Sequence, residues 1–254
     1  MTDGTVQIAY VCGNTVHYSW HRCYEDLRAY DAANGQRLAG FIGIRCGTDG
    51  LSSARNQAVE HFLESGSEWL WWIDTDMGFG PDTVDRLLEV ADPVERPVVG
   101  GLCFFNREDA SDGMGGYRST VVPTVYDWTH TDDGKMGWAV RWQYPTNAVT
   151  RVGGTGSACI LIHRSVFERV ESAHGRAWYD RVPNTTTGQL IGEDLSFCLR
   201  AGALKVPIHV HTGVPTTHFK SVWLQEEDYW QQVALNSIRE SIATVEPEPA
   251  EAAP

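Results

Sequence analysis

Basic residues are in short supply in this chain. Its 254 residues carry 20 Lys and Arg against 33 Asp and Glu, for a net charge of −13 and a pI near 5.0. A sequence-independent grip on nucleic acid needs cations along the phosphates, so that class of partner is excluded. A phosphate held in a local pocket is not. Long apolar runs are missing too: no window approaches the roughly eighteen consecutive apolar residues of a membrane span. Met1-Thr2-Asp3-Gly4 has no basic region and no long apolar segment after it, so a signal peptide is not expected. The absence of targeting and spanning segments points to a soluble cytoplasmic protein. No Cys-x-x-Cys pair occurs, which argues against a zinc ribbon. The six cysteines are scattered, and several sit in apolar runs such as Ser157-Ala158-Cys159-Ile160-Leu161. They read as buried free thiols in a reducing compartment. No internal repeat is present.

What remains is an ordinary globular balance, 42% hydrophobic and 21% charged, long enough for one large domain. Val6–Val11 reads as a first strand, Trp20–Ala33 as a helix and Leu38–Ile44 as a second strand. Leu51–Ser65 reads as a helix that Ser52 or Ser53 can cap and Gly66 ends. Trp69–Ile73 is an apolar strand, and a helix follows Gly80-Pro81-Asp82. Pro97–Phe105 is the next strand. Strand and helix alternate over this first part, which predicts right-handed crossovers and a mostly parallel central sheet flanked by helices. Asp132-Asp133-Gly134 then marks an antiparallel hairpin appended to that sheet. A single α/β domain is expected over 1–243. The acidic, Pro- and Ala-rich stretch 244–254 is expected to be disordered.

Four features could carry chemistry. Asp74-Thr75-Asp76 ends the Trp-rich strand, and carboxylates at i and i+2 of extended chain point to one side, where they can hold a hard divalent cation. An Asp-rich turn is the plainer reading of the same residues. Arg55 and Asn56 sit near a helix start, where a guanidinium and free amides suit an anion, although most such arginines are simply solvated. Glu193 and Asp194 follow Gly192 at another helix start; they either compensate the helix dipole or supply a general base. His209, His211 and His218 form a late group, and imidazole beside an acidic pair suits manganese-like ions. Gly154-Thr155-Gly156 looks like a dinucleotide fingerprint, but it precedes a strand and lacks the third glycine.

In their order along the chain these residues resemble a family. Ser52 to Asn56, the strand into Asp74-Thr75-Asp76, Val98-Val99-Gly100-Gly101, Gly154-Thr155-Gly156 before Ile160-Leu161-Ile162, Gly192-Glu193-Asp194 with Phe197-Cys198, and His218 are together similar to GT-A-fold glycosyltransferases of the family 2-like bacterial and phage group. The likeness spans roughly residues 5 to 222. It implies a GT-A fold and a nucleotide-diphosphate sugar donor, UDP-linked ahead of GDP-linked. It also implies a divalent metal, Mn2+ or Mg2+, and an acceptor protein, glycan or small molecule. Val11, Cys12 and Gly13 would line the base pocket and Arg55 would hold the nucleotide. Asp74, with Thr75 beside it, would support the ribose or the metal, and Asp76 and His218 would ligate the metal. His211 is a lesser candidate ligand. Gly154, Thr155 and Gly156 would face donor sugar and acceptor. Asp194 would be the base, with Glu193 beside it. Tyr117, Trp138, Trp142 and Trp178 could stack on sugars or simply pack.

Two rival readings stay open. A nucleotidyltransferase would usually show a basic Gly-rich loop after its first strand, and Cys12 to His17 contains no Lys or Arg. A catalytically silent nucleotide- or carbohydrate-binding module is the other.

Overall fold

The computed structural model describes residues 5–109, 118–130, 136–184, 188–222 and 226–243. In chain order its elements are β1 (Val6–Cys12), α1 (Tyr18–Asn34), β2 (Leu38–Arg45), α2 (Gly50–Ser65), β3 (Trp69–Ile73), β4 (Met77–Gly78), α3 (Thr83–Val90), β5 (Val98–Leu102), β6 (Phe104–Asp109) and β7 (Arg118–Pro123). There follow β8 (Val125–His130), β9 (Met136–Val140), β10 (Val149–Val152), β11 (Gly154–Thr155), β12 (Cys159–His163), α4 (Arg164–His174), α5 (Glu193–Ala203), β13 (Ile208–Pro215), β14 (Thr217–His218) and α6 (Glu226–Ala243). The chain divides into two compact units. One comprises residues 1–107 and 121–220, the other 108–120 and 221–254. The second carries α6, on which Tyr229 and Trp230 are exposed.

The first unit is built on a seven-stranded sheet in the order β10-β13-β5-β12-β3-β1-β2. It is mixed, not mostly parallel as the alternation of strands and helices predicts. β12 runs antiparallel to both β3 and β5, and β10 runs antiparallel to β13. The cause lies in the connection. Between Leu102 and Cys159 the described chain forms only strands and loops. With no helix to carry it back across the sheet, it re-enters at the edge where β5 ended, so β12 must run the other way.

β3 sits inside this sheet with every residue buried. Leu70 and Trp72 face a core formed with Ala58, Phe62, Phe167 and Phe197, while Trp69, Trp71 and Ile73 face Trp20, Leu27, Leu87 and Leu161. A strand covered on both faces reads as continuous apolar sequence, which is what Trp69–Ile73 is. Each sealed Trp contributes roughly 4–6 kcal/mol of transfer free energy. The helix caps follow local rules less closely. α2 starts at Gly50 after Asp49, so Ser52 and Ser53 lie inside it and do not cap it; Gly66, at φ 77°, ends it in the left-handed conformation. β8 and β9 pair antiparallel as the appended hairpin. Its Asp132-Asp133-Gly134 turn, most of the Asn106–Gly116 loop, Tyr117 and the 244–254 tail lie outside the described residues. No described helix is long and apolar enough to cross a membrane.

Candidate functional site

β1 and β3 are parallel, so Val11, Cys12 and Gly13 leave the sheet at the same edge as Asp74. Val11 is buried and Gly13 exposed. The chain does not stay extended through Asp74-Thr75-Asp76. It turns, with the Met77 amide donating to the Asp74 carbonyl at 3.1 Å. Asp and Gly favour such turns. The two carboxylates consequently meet different partners.

Asp74 meets Arg55. This arginine belongs to the buried stripe of α2, beside Ala54, Ala58, Val59 and Phe62. It is 1% exposed and its Nη2 donates to Asp74 Oδ1 at 3.0 Å. Its guanidinium carbon lies 4.8 Å from the Trp72 ring and 5.6 Å from Tyr179, an arrangement that favours the cation. Asp194 Oδ1 is 3.7 Å from Nη2, and Glu193 Oε1 is 4.0 Å from Nε. Among the described residues, Nε and Nη1 are buried without a hydrogen-bond partner, as is Asp194 Oδ1. Burial opposes the charge on Arg55, but Asp74 and Asp194 outweigh it and hold the group above its usual range. Burial pushes Asp74 up, against the pull of Arg55. Burial, with Asp194 alongside, likewise raises Glu193. One buried guanidinium thus organises three carboxylates from two places in the chain, the end of β3 and the start of α5. Asn56 is spoken for: its side chain binds Asp180 at 2.7 Å and the Tyr179 amide at 2.8 Å.

Asp76 meets His218 and Lys220. β14 pairs with β4, setting His218 opposite Met77. His218 Nδ1 lies 2.7 Å from the Phe104 carbonyl, which can only accept, so this nitrogen carries hydrogen. That fixes Nε2 toward Asp76 Oδ2 at 3.2 Å, and Lys220 Nζ donates to the same oxygen at 2.8 Å. Burial opposes ionisation of Asp76, but these two donors hold it down to about 2. Burial lowers His218, but the Asp76 hydrogen bond more than offsets this and raises it. A carboxylate and an anchored imidazole fit two positions of a manganese-like ion's shell. Among the described residues, no three His, Cys, Asp or Glu side chains gather into a fuller set.

The other sequence candidates sort as follows. Gly156 borders Asp194: a Cβ there would sit 3.6 Å from Oδ2. Thr155 is 1% exposed and its hydroxyl donates to the Thr124 carbonyl at 2.7 Å. Gly154 packs on Trp138. His211 accepts from the Gly213 amide at 3.1 Å, and burial with nearby Arg86 lowers it; it joins no donor cluster. Trp178 is core, donating to the Phe167 carbonyl at 2.9 Å. Trp142 is exposed. Lys220 and Tyr179 escaped the sequence reading. A cation two residues beyond His218 was the available signal for Lys220. Nothing local marks Tyr179.

No family model matches the chain, and no curated protein matches it. Among solved structures, it is similar to the crystal structure of A197 from STIV, at 15% identity and a TM-score of 0.48 over 85% of this chain and 86% of that one. It is also similar to a crystal structure of GalNAc-T7 with UDP, GalNAc and Mn2+, at 9% identity and a TM-score of 0.51 over 86% of this chain and 44% of that one. The second likeness shows a mixed α/β fold similar to GT-A structures.

Proposed function

We propose that the chain is a glycosyltransferase. It moves a sugar from a nucleotide-diphosphate donor, UDP-linked ahead of GDP-linked, to an acceptor hydroxyl. The observation that carries this reading is the Arg55 cluster. A buried cation draws Asp74 and Asp194 together at the carboxyl edge of the strands, and a third acid, Asp76, stands in the same turn as Asp74 and pairs with His218. In open α/β sheets that edge is where ligands bind. The likeness to a fold solved with UDP and Mn2+ agrees with it.

Asp194 is the base. Its Oδ1 lies toward Arg55, and its Oδ2 borders Gly156, where a Cβ would sit 3.6 Å away. It takes the acceptor proton as that oxygen bonds to the anomeric carbon, and the bond from that carbon to the diphosphate oxygen breaks with inversion. Arg55 holds Asp74 and Asp194 in place without leaving the core. Asp76 and His218, with Asp74 behind them, would hold Mn2+ or Mg2+, which supplies positive charge against the leaving diphosphate. The acceptor is a protein, glycan or small molecule.

Lys220 favours a second version, in which its ammonium meets the diphosphate directly and the Asp76–His218 pair orients it. Thermal shift with UDP, GDP, CMP and dTDP, each with and without Mn2+, tests both. Stabilisation by one diphosphate supports transfer, since binding to the folded state raises apparent stability. If that shift needs Mn2+ and grows in Lys220→Ala, the metal version stands. If it is metal-independent and vanishes in Lys220→Ala, the lysine version stands. A flat response to all four nucleotides sinks both.

A further inference from the structure

A cavity of about 790 Å³ opens between the β8–β9 hairpin, β10 and the C-terminal half of α5. None of Arg55, Asp74, Asp76, Asp194 or His218 lines it. Its volume falls in the range of small-molecule sites, roughly 300–1,000 Å³. Trp128 and Trp138 line it and meet edge to face, ring centroids 4.9 Å apart and planes at 69°. Trp128 is 42% exposed. Asp127 and Arg141 also line it as a two-pronged ion pair. Arg141 Nη1 donates further to Thr150 Oγ1 and the Arg151 carbonyl, both at 3.0 Å. These four hydrogen bonds hold the guanidinium in place and stiffen the wall. The rim carries Lys205 and Arg151, both exposed and neither in an ion pair among the described residues; Arg151 also borders a second cavity, with Glu89, Arg96 and His209. In a chain of net charge −13, this one cavity gathers Arg141, Arg151 and Lys205 against a single carboxylate.

We propose that this cavity binds an acidic saccharide. A sugar ring lies against Trp128 and Trp138, its hydroxyls donate to Asp127, and its own carboxylate meets Arg151 and Lys205. The chemistry selects this class over a nucleotide. Planes at 69° make a corner: a flat base would cover only one of its walls, whereas a puckered ring presents C–H bonds to both. Asp127 keeps 40% of its side-chain surface open. Its oxygens can accept from sugar hydroxyls while they remain paired with Arg141. The site is independent of the transfer reading, although Trp138 also packs on Gly154, two residues from the Gly156 that borders Asp194.

Lys205 supplies a clean probe. Its φ is +58°, at the turn that closes α5, where its amide donates to the Gly202 carbonyl at 2.9 Å. Glycine usually fills such a position. Lys205→Gly therefore removes the charge while relieving the backbone, and lost binding in it is not lost folding. The experiment is a titration with digalacturonic acid, followed by tryptophan fluorescence and calorimetry, with lactose and UMP in parallel. Saturable binding of digalacturonic acid is expected, with a fluorescence change that Trp128→Ala abolishes. The double variant Arg151→Gln/Lys205→Gly should bind about tenfold or more weakly, since hydrogen bonds to charged groups are the strong ones. Its Tm should match or exceed that of the parent. The proposal is overturned if digalacturonic acid does not bind, if lactose binds equally well, if UMP binds more tightly, or if the double variant keeps full affinity.

Discussion

Arg55 and Asp74 form an ion pair that is sealed at one end and open at the other. Nη2 and Oδ1 are 3.0 Å apart, yet the arginine is 1% exposed while the aspartate keeps 30% of its side-chain surface open. The cation sits in the core of α2 under Trp72 and Tyr179, and the anion faces the strand ends. Removing the cation would leave Asp74, Asp194 and Glu193 facing one another. Arg55→Met is therefore expected to cost about 3–5 kcal/mol of stability, the usual penalty for orphaning buried charge. Urea midpoints at constant m-value measure it. In the double variant with Asp74→Asn, the loss should be less than the sum of the single ones.

The Asp76–His218 pair predicts a two-sided pH dependence. The folded pKa of Asp76 is about 2, below the ordinary value of roughly 3.9. Its contribution is then fully present above about pH 4 and lost as pH falls through about 2. His218 is raised, so its contribution is complete below about pH 6.5 and fades as pH rises through its folded value. With Asp76 34% exposed, screening by solvent holds each limb to under about 1 kcal/mol. Asp76→Asn should flatten both limbs of a stability profile taken across this range. Unchanged limbs in that variant would assign the dependence to other groups.

Much of this arrangement was legible in the sequence because it rests on local signals. Trp69–Ile73 has no polar residue, so it had to be buried on both faces, and Gly66 had to stop α2. The Gly192-Glu193-Asp194 helix start and the late His218 were visible as chemistry. Three things were not. The antiparallel course of β12 depends on where a long excursion returns, which no periodicity records. Arg55 reads as a solvated residue near a helix start until the partners that cover it, Trp72 and Tyr179, are brought from elsewhere. The split of Asp74 and Asp76 onto different partners follows from a turn of one hydrogen bond, between Met77 and Asp74, which an apolar strand running into two aspartates conceals.

The glycines before β12 differ in what they allow. A Cβ at Gly153 would lie 2.5 Å from the Trp128 backbone nitrogen, which cannot move without disturbing the β8–β9 hairpin. At Gly156 the nearest atoms, Asp194 Oδ2 and Thr124 Cβ, are at 3.6 Å, an ordinary contact. Gly153→Ala is expected to destabilise by about 1–3 kcal/mol, as overpacking does. Gly156→Ala should leave Tm nearly unchanged while crowding the space beside Asp194, so any transfer activity falls with the fold intact. Thermal melts of the two variants side by side check the first half, and turnover of a nucleotide sugar the second.

Asp194 and Glu193 are adjacent acids at one helix start, and the base assignment separates them. Asp194 Oδ1 lacks a hydrogen bond, whereas Glu193 is 18% exposed and pushed up by burial and by Asp194 itself. Asp194 is the more open of the two, with 28% of its side-chain surface exposed and its Oδ2 beside Gly156. Asp194→Asn should therefore keep donor binding by calorimetry and reduce transfer by about a hundredfold to ten-thousandfold, the worth of a general base. Glu193→Gln removes a neighbour that crowds Asp194 without touching the base itself, so it should change transfer far less. Equal losses in the two variants would mean that the pair acts as a structural unit around Arg55, and the base would have to be sought elsewhere in the cleft.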